Sequence, residues 1–229
     1  MEADRIFAVP GGCINIVFCC DEDNPSANVC GSVTHGKKVF YKPNCEYFGI
    51  RLLPGYDRHF LKFPAKEFVD SEVPLNEILD KKLFIAERIA KGISFSDRIC
   101  IAETCLRQYI DNVASIPYLS RYIIEKIYKT NGQLKIQELA DETGYSSRYI
   151  CRIFEDCIGI SPKLFSRIVR FQKVLGILLR DGVSKLDDIA YMFGYYDQSH
   201  FLRECKEFCF LPLQQTINYK NDLVRNIPQ

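Results

Sequence analysis

The chain has 229 residues, a formal charge of +1, 47% hydrophobic residues, 11 cysteines and no tryptophan. That length suits two domains, and near-neutral charge sets it apart from strongly basic nucleic-acid binders. No uninterrupted apolar run approaches the ~18 residues of a membrane span, and the start, MEADRIF, lacks the basic region and apolar core of a secretory signal, so a cytoplasmic protein without membrane contact is expected.

Four short segments rich in β-branched and aromatic residues come first: Cys13–Cys20, Asn28–Thr34, Lys37–Tyr41 and Glu46–Leu53. Gly, Pro, Asn and Asp separate them, the pattern of strands joined by turns. A sheet of this size buries little by itself. Helical stretches at 74–91 and 97–111 are therefore expected to pack on it or on a second subunit. Arg51 is a candidate contact for an anionic small-molecule effector, although an arginine on a strand surface is more often simply solvated. The cysteines form no CxxC pairs, and His35, His59 and His200 lie far apart. Without an export signal a disulfide scaffold is not expected. Most thiols read as small core residues. Cys19 and Cys20, being adjacent on a strand, point to opposite faces. No metal or cofactor site is expected.

Composition changes near residue 112. Residues 1–112 carry 14 basic and 16 acidic side chains, and the remainder 16 and 13. Pro117 marks a boundary, because the residue before a proline disfavours helix. A helix is expected from Tyr118, with Leu119, Tyr122, Ile123 and Ile127 on its apolar face. The chain is thus expected to divide into a β-rich part with trailing helices, 1–112, for signal input and self-association, and an all-α part, 113–229. The fold class is α+β.

Two stretches of the second part repeat one plan. IQELADETGYSSRYICRIFEDCIGISP spans Ile136–Pro162, and IAYMFGYYDQSHFLRECKEFCFLP spans Ile189–Pro212. Leu139-Ala140 recurs as Ile189-Ala190 and Gly144-Tyr145 as Gly194-Tyr195, while Arg152-x-Phe154 recurs as Arg203-x-Cys205 with one extra residue in the turn. Each copy reads as helix, glycine turn, helix, the helix-turn-helix plan. In the first, Gly144 suits the left-handed residue past a helix end, and Ser146 can cap the next helix. Ile150, Ile153, Phe154 and Cys157 form a buried stripe. The opposite face carries Arg148, Cys151, Arg152 and Glu155. Arginines one turn apart suit guanine edges or phosphates, although a charged outer face is common on any surface helix. In the second copy Ser184 and Asp187 resemble a capping box, and Asp197 is the expected cap. Phe201, Cys205 and Phe208 face inward. Gln198, Ser199, Leu202, Arg203 and Lys206 turn outward.

Ser161-Pro162 starts a connecting helix, a serine cap with proline at the first position. Residues 162–179 would span about 27 Å at 1.5 Å per residue, close to the ~34 Å between successive reading positions on B-DNA. Lys163, Arg167, Arg170 and Lys173 give the connector a basic stripe. Gly176 inside it suggests a closely packed neighbouring helix. Residues 143–180 carry seven Lys/Arg against two Asp/Glu, and 181–229 carry five against seven. Phosphate attraction scales with basic contacts, so the first unit and the connector should supply most of any DNA affinity.

The ordered pattern IQELA, GYSSRYICRIF, GISPKLF, the R-F-x-K-x-L-x-x-LL connector and IAYMFGYYDQSHFLREC resembles the AraC/XylS family of bacterial transcription regulators over roughly 118–215. The resemblance implies double-stranded DNA as partner, with each second helix entering the major groove. It implies DNA-facing roles for Ser147, Arg148, Cys151 and Arg152, and for Gln198, Ser199, His200 and Arg203; the basic connector adds Arg167 and Arg170. Activator function, contact with RNA polymerase, a small effector and a homodimer belong to the same implication. Cys205 and Phe210 depart from the family's usual phenylalanine and glycine. Pro10–Phe18, Tyr47–Gly55 and Phe63–Asp70 resemble an uncharacterised β-rich N-terminal domain found on some AraC-type regulators. An enzyme is not expected, since no GxSxG elbow, P-loop, HExxH or Rossmann pattern occurs. A cysteine-based redox- or metal-sensing regulator is the alternative. An alkylated-DNA repair regulator is a more remote one, since its paired cysteine ligands are missing.

Overall fold

A computed structural model describes residues 4–55, 64–79, 83–110, 116–182 and 186–225. Strands β1 (Asp4–Ala8), β2 (Ile14–Cys20), β3 (Ser26–Cys30), β4 (Lys37–Tyr41), β5 (Glu46–Leu52) and β6 (Glu72–Pro74) open the chain. β1 and β4 form a two-stranded antiparallel ribbon, and the others a four-stranded antiparallel sheet in the order β5-β2-β3-β6. β2 sits at its centre, with Phe18 opposite Phe48 on one side and Ile16 opposite Val29 on the other. Period-two alternation buries Ile14, Ile16 and Phe18 on one face. The expected strand at Asn28–Thr34 starts earlier and stops at Cys30. Beyond it Gly31 donates its N–H to Ser71 instead of continuing the ladder.

The stretch expected as one helix over 74–91 contains two, α1 (Leu75–Ile78) and α2 (Ile85–Ala90). Phe84 lies between them at φ 44, a left-handed conformation that interrupts a helix. α3 (Phe95–Ile110) follows. Ile89 of α2 and Ala102, Cys105 and Leu106 of α3 complete the core over the sheet with Ile16, Phe18 and Val29.

The second core belongs to α4 (Tyr118–Lys129), α5 (Ile136–Thr143), α6 (Ser147–Ile158), α7 (Pro162–Asp181), α8 (Leu186–Met192), α9 (Gln198–Phe208) and α10 (Leu213–Arg225). Its fully buried centre includes Ile123, Ile127, Phe154, Phe165, Phe171, Val174 and Phe201. The α7 helix begins where the sequence places it: Ser161 Oγ accepts the Leu164 N–H at 3.2 Å and Pro162 takes the first turn. At 20 residues it is about 30 Å long. Gly176 is exposed, and nothing would crowd a Cβ there. Among the described residues the expected close helix contact is absent, and no neighbour accounts for this glycine.

The two cores touch. Gln172 of α7 donates to the Pro10 carbonyl, and a Cβ on Gly12 would stand 2.6 Å from the Phe165 ring. Phe7 of the ribbon stacks on Phe210 at 5.3 Å and meets Tyr219 edge-on at 5.0 Å. Gly36 donates to the Glu207 carbonyl at 3.4 Å, and any side chain there would overlap the backbone of Cys209 and Phe210.

Candidate nucleic-acid interface

The first helix pair is joined by Gly144, at φ 72, whose N–H closes on Ala140 O at 2.9 Å. A side chain in that left-handed conformation is strained, and glycine avoids it. Ser146 Oγ accepts the Tyr149 N–H at 3.3 Å and starts α6. Leu139, Ile150, Phe154 and Cys157 are buried in the core that Ile123 and Ile127 of α4 share. Lys126 and Tyr122 of α4 both bond the Glu142 carboxylate, at 2.9 and 2.7 Å, and so tie α4 to the end of α5.

This packing leaves Arg148 and Arg152 exposed on the outer face of α6, with Ser147 and Cys151 half-buried beside them. Among the described residues neither arginine has a carboxylate partner within ion-pair distance. The Arg152 guanidinium lies 5.4 Å from the Tyr149 ring centre, and Tyr149 stacks on Tyr145 at 5.0 Å. A cation held over an aromatic face loses less entropy on binding a second partner. Partial burial, and secondarily Glu155, pushes the Cys151 thiol up, which suppresses the thiolate through which it would be oxidised.

In the second pair, α8 and α9 flank Gly194 at φ 74. Asp197 Oδ1 accepts the His200 N–H at 2.6 Å, the expected cap. Ser184, the other expected cap, lies outside the described residues. α9 starts at Gln198, four positions past Gly194, whereas α6 starts three past Gly144. The repeated tyrosine sits differently in the two pairs: Tyr145 is 49% exposed and Tyr195 is 1% exposed. Gln198, Ser199 and Arg203 are exposed and His200 is half-buried. Leu202, expected outside, instead packs against the core.

In the connector's basic stripe, Arg167 and Arg170 are already paired with carboxylates. Both turn toward α9. Arg167 Nε bonds Glu204 Oε2 at 2.9 Å, and its terminal nitrogens bond Glu207. Arg170 reaches Glu204 at 3.4 Å and lies 4.3 Å from the Tyr195 ring centre. The Tyr195 hydroxyl donates to the other Glu204 oxygen at 2.6 Å. Glu204 is only 4% exposed, and a buried carboxylate needs hydrogen-bonding and oppositely charged partners such as these. Burial first, then Glu204, drives the Tyr195 hydroxyl far above its ordinary range, so it stays a donor. These contacts fix the orientation of α9 on α7. Sequence reading missed Glu204, although one signal was there: a carboxylate between Phe201 and Phe208 on the inward stripe.

Lys163 and Lys173 remain exposed on α7. A cleft of ≈ 710 Å³ between the two helix pairs is lined by Lys135, Lys163, Arg167, Arg170, His200 and Glu204. Among the described residues no three His, Cys, Asp or Glu side chains converge as a metal's donors would, and no helix is long and apolar enough to cross a membrane. Arg51 bonds the Asn15 amide oxygen at 3.0 Å on the sheet surface.

Two family models match segments of the chain. Residues 139–218 match the model of a helix-turn-helix domain, and residues 2–74 match a domain of unknown function, DUF6597. No curated protein matches the chain.

Proposed function

We propose that this chain, an AraC-type helix-turn-helix regulator with a DUF6597 N-terminal domain, recognises double-stranded DNA by laying α6 and α9 in successive major-groove segments. One observation supports it above the rest: two capped helices of one repeated plan each leave a polar face uncovered, on either side of a single rigid connector. Arg148 and Arg152, flanked by Ser147 and Cys151, form the first reading face. Gln198, Ser199, His200 and Arg203 form the second. Arg167 and Arg170 act through Glu204 as positioning residues for α9. Lys135 and Lys163, on the cleft between the pairs, are placed to meet the phosphates running from one groove segment to the next.

The N-terminal domain serves as the input module and the helical part as the DNA-binding module. Their separate cores, one drawn from 14–106 and the other from 116–217, support that reading. Footprinting the purified chain on DNA upstream of its own gene at several salt concentrations tests the proposal. Two protected segments about one helical turn apart, with affinity falling steeply as salt rises, are expected. Binding that ignores salt, or one protected segment only, rejects the double-reading arrangement.

A further inference from the structure

The N-terminal sheet holds a chemical pair that DNA recognition does not use. Cys19 Sγ, on β2, lies 3.1 Å from Cys45 Sγ, in the turn that leads from β4 into β5. The residues are 26 positions apart in the chain, so the fold alone makes them neighbours. Cys19 is paired across the ladder with Tyr47, and Cys45 stands two residues before Tyr47, on the same face of the sheet. Each sulfur needs to move only about half an ångström to reach the ~2.05 Å of a disulfide bond.

The surrounding turn is braced in this position. Tyr47 Oη accepts the Lys42 N–H at 2.8 Å, the Lys42 ammonium pairs with Asp21, and Tyr41 packs edge-on against Tyr47 at 4.4 Å. Both cysteines are half-buried. Cys45 lines an open cleft of ≈ 1010 Å³ with Lys42, Asn44 and Arg98, so a small reagent can reach it. Among the described residues no other thiol pair offers this combination. Cys19 and Cys20 face opposite sides of β2, and Cys205 and Cys209, one helical turn apart, are both sealed in the helical core.

We propose that Cys19 and Cys45 form a reversible dithiol–disulfide site that reacts with small disulfides. One thiolate attacks a sulfur of the small disulfide, forming a mixed disulfide and releasing one small thiolate. The second cysteine sulfur then attacks the protein sulfur of that mixed disulfide and releases the other small thiolate. The two cysteine protons pass to the two leaving thiolates, so the protein loses two hydrogens and two electrons and the small disulfide gains them. The new bond joins β2 to the residue just before β5, at the end of the turn that leaves β4; the ribbon partner of β4, β1, carries Phe7 onto Phe210 and Tyr219 of the helical part. Oxidation would therefore lock the far end of the turn that links the larger sheet to the smaller one, the part of the domain that rests against Phe210 and Tyr219. This inference stands apart from the DNA-binding reading and holds or fails without it.

The test uses the intact reduced chain, oxidised glutathione as probe, and alkylation followed by peptide mapping without reductant. The expected result is a crosslinked peptide joining the segment that contains Cys19 to the one that contains Cys45. Alkylation of Cys45 is lost in step, and both changes reverse with excess reduced glutathione. Cys19→Ser and Cys45→Ser should each abolish the crosslink, and Cys20→Ser should leave it intact. Full alkylation of Cys45 after oxidation of the wild-type chain overturns the proposal, and that readout requires no variant to fold. A crosslink that survives Cys19→Ser or disappears with Cys20→Ser assigns the chemistry to another pair and also overturns it.

Discussion

Replacing Glu204 by alanine removes the carboxylate that holds Arg167, Arg170 and Tyr195 in one network. The exposures set the size of the effect. Glu204 is 4% exposed and the Arg170 side chain 15%, so truncation leaves the Arg170 charge largely out of water without a counter-ion. Breaking a buried pair in this way costs about 3–5 kcal/mol. Arg167 is different: 29% exposed and still bonded to Glu207, itself 49% exposed, it keeps both a partner and solvent. An exposed pair of that sort is worth about 1 kcal/mol or less. Losing the acceptor for Tyr195 Oη adds about 1 kcal/mol. For a folding unit of this size the melting temperature falls by about 4–8 °C per kcal/mol, so the loss of roughly 4–6 kcal/mol in Glu204→Ala should lower the helical part's transition by on the order of 15–50 °C. Glu204→Gln, which keeps an acceptor and loses the charge, should fall between wild type and alanine, and Arg167→Ala should be milder than either. Thermal unfolding followed by far-UV circular dichroism measures all three. A Glu204→Ala transition within about 2 °C of wild type would refute the view that this carboxylate organises the second unit.

Arg152→Ala should cost about 1–3 kcal/mol in DNA binding and relax base preference at one position; unchanged affinity and preference in a selection experiment would remove it from the groove. Replacing Arg148 and Arg152 together should weaken binding far more than replacing Gln198 and Arg203 together, with equal losses at matched salt counting against the asymmetry. The fragment 113–229 should still bind the full-length footprint, because its core is its own; failure even at low salt, where phosphate attraction is strongest, would show that the N-terminal contacts are required. Hydrogen bonds from Lys126 and then Tyr122 hold the Glu142 carboxyl below the usual carboxylate range. Its contribution is therefore full above the unfolded pKa and is lost as pH falls through the lowered folded value. Glu142→Gln should flatten the acid limb of a urea-midpoint profile between about pH 5 and about pH 2, and parallel profiles would deny the pair any role.

Much of the helical half could be read from residue order, because its determinants are local. Ser146, Ser161 and Asp197 cap the helices expected of them, Gly144 takes the left-handed turn, and helix α4 starts at Tyr118 after Pro117. Each needs only neighbours a few positions away, and the 3.6-residue repeat then decides which face is buried. The exposed arginines of α6 follow from the same rule. The N-terminal half yielded less. Strands β1 and β6 carry no clear local signal, and the expected helix over 74–91 stops at Ile78, where Leu79 turns extended, before a second begins after left-handed Phe84, since strand pairing and helix docking there depend on residues dozens of positions apart. What only tertiary structure decided is which charged and sulfur groups meet. Spacing alone made Arg167 and Arg170 a basic stripe for phosphate. The packing of α9 on α7 puts a buried carboxylate against them, and Tyr195, buried where Tyr145 is exposed, completes the network. Likewise nothing local couples Cys19 to Cys45; antiparallel pairing of β2 with β5 brings their sulfurs together.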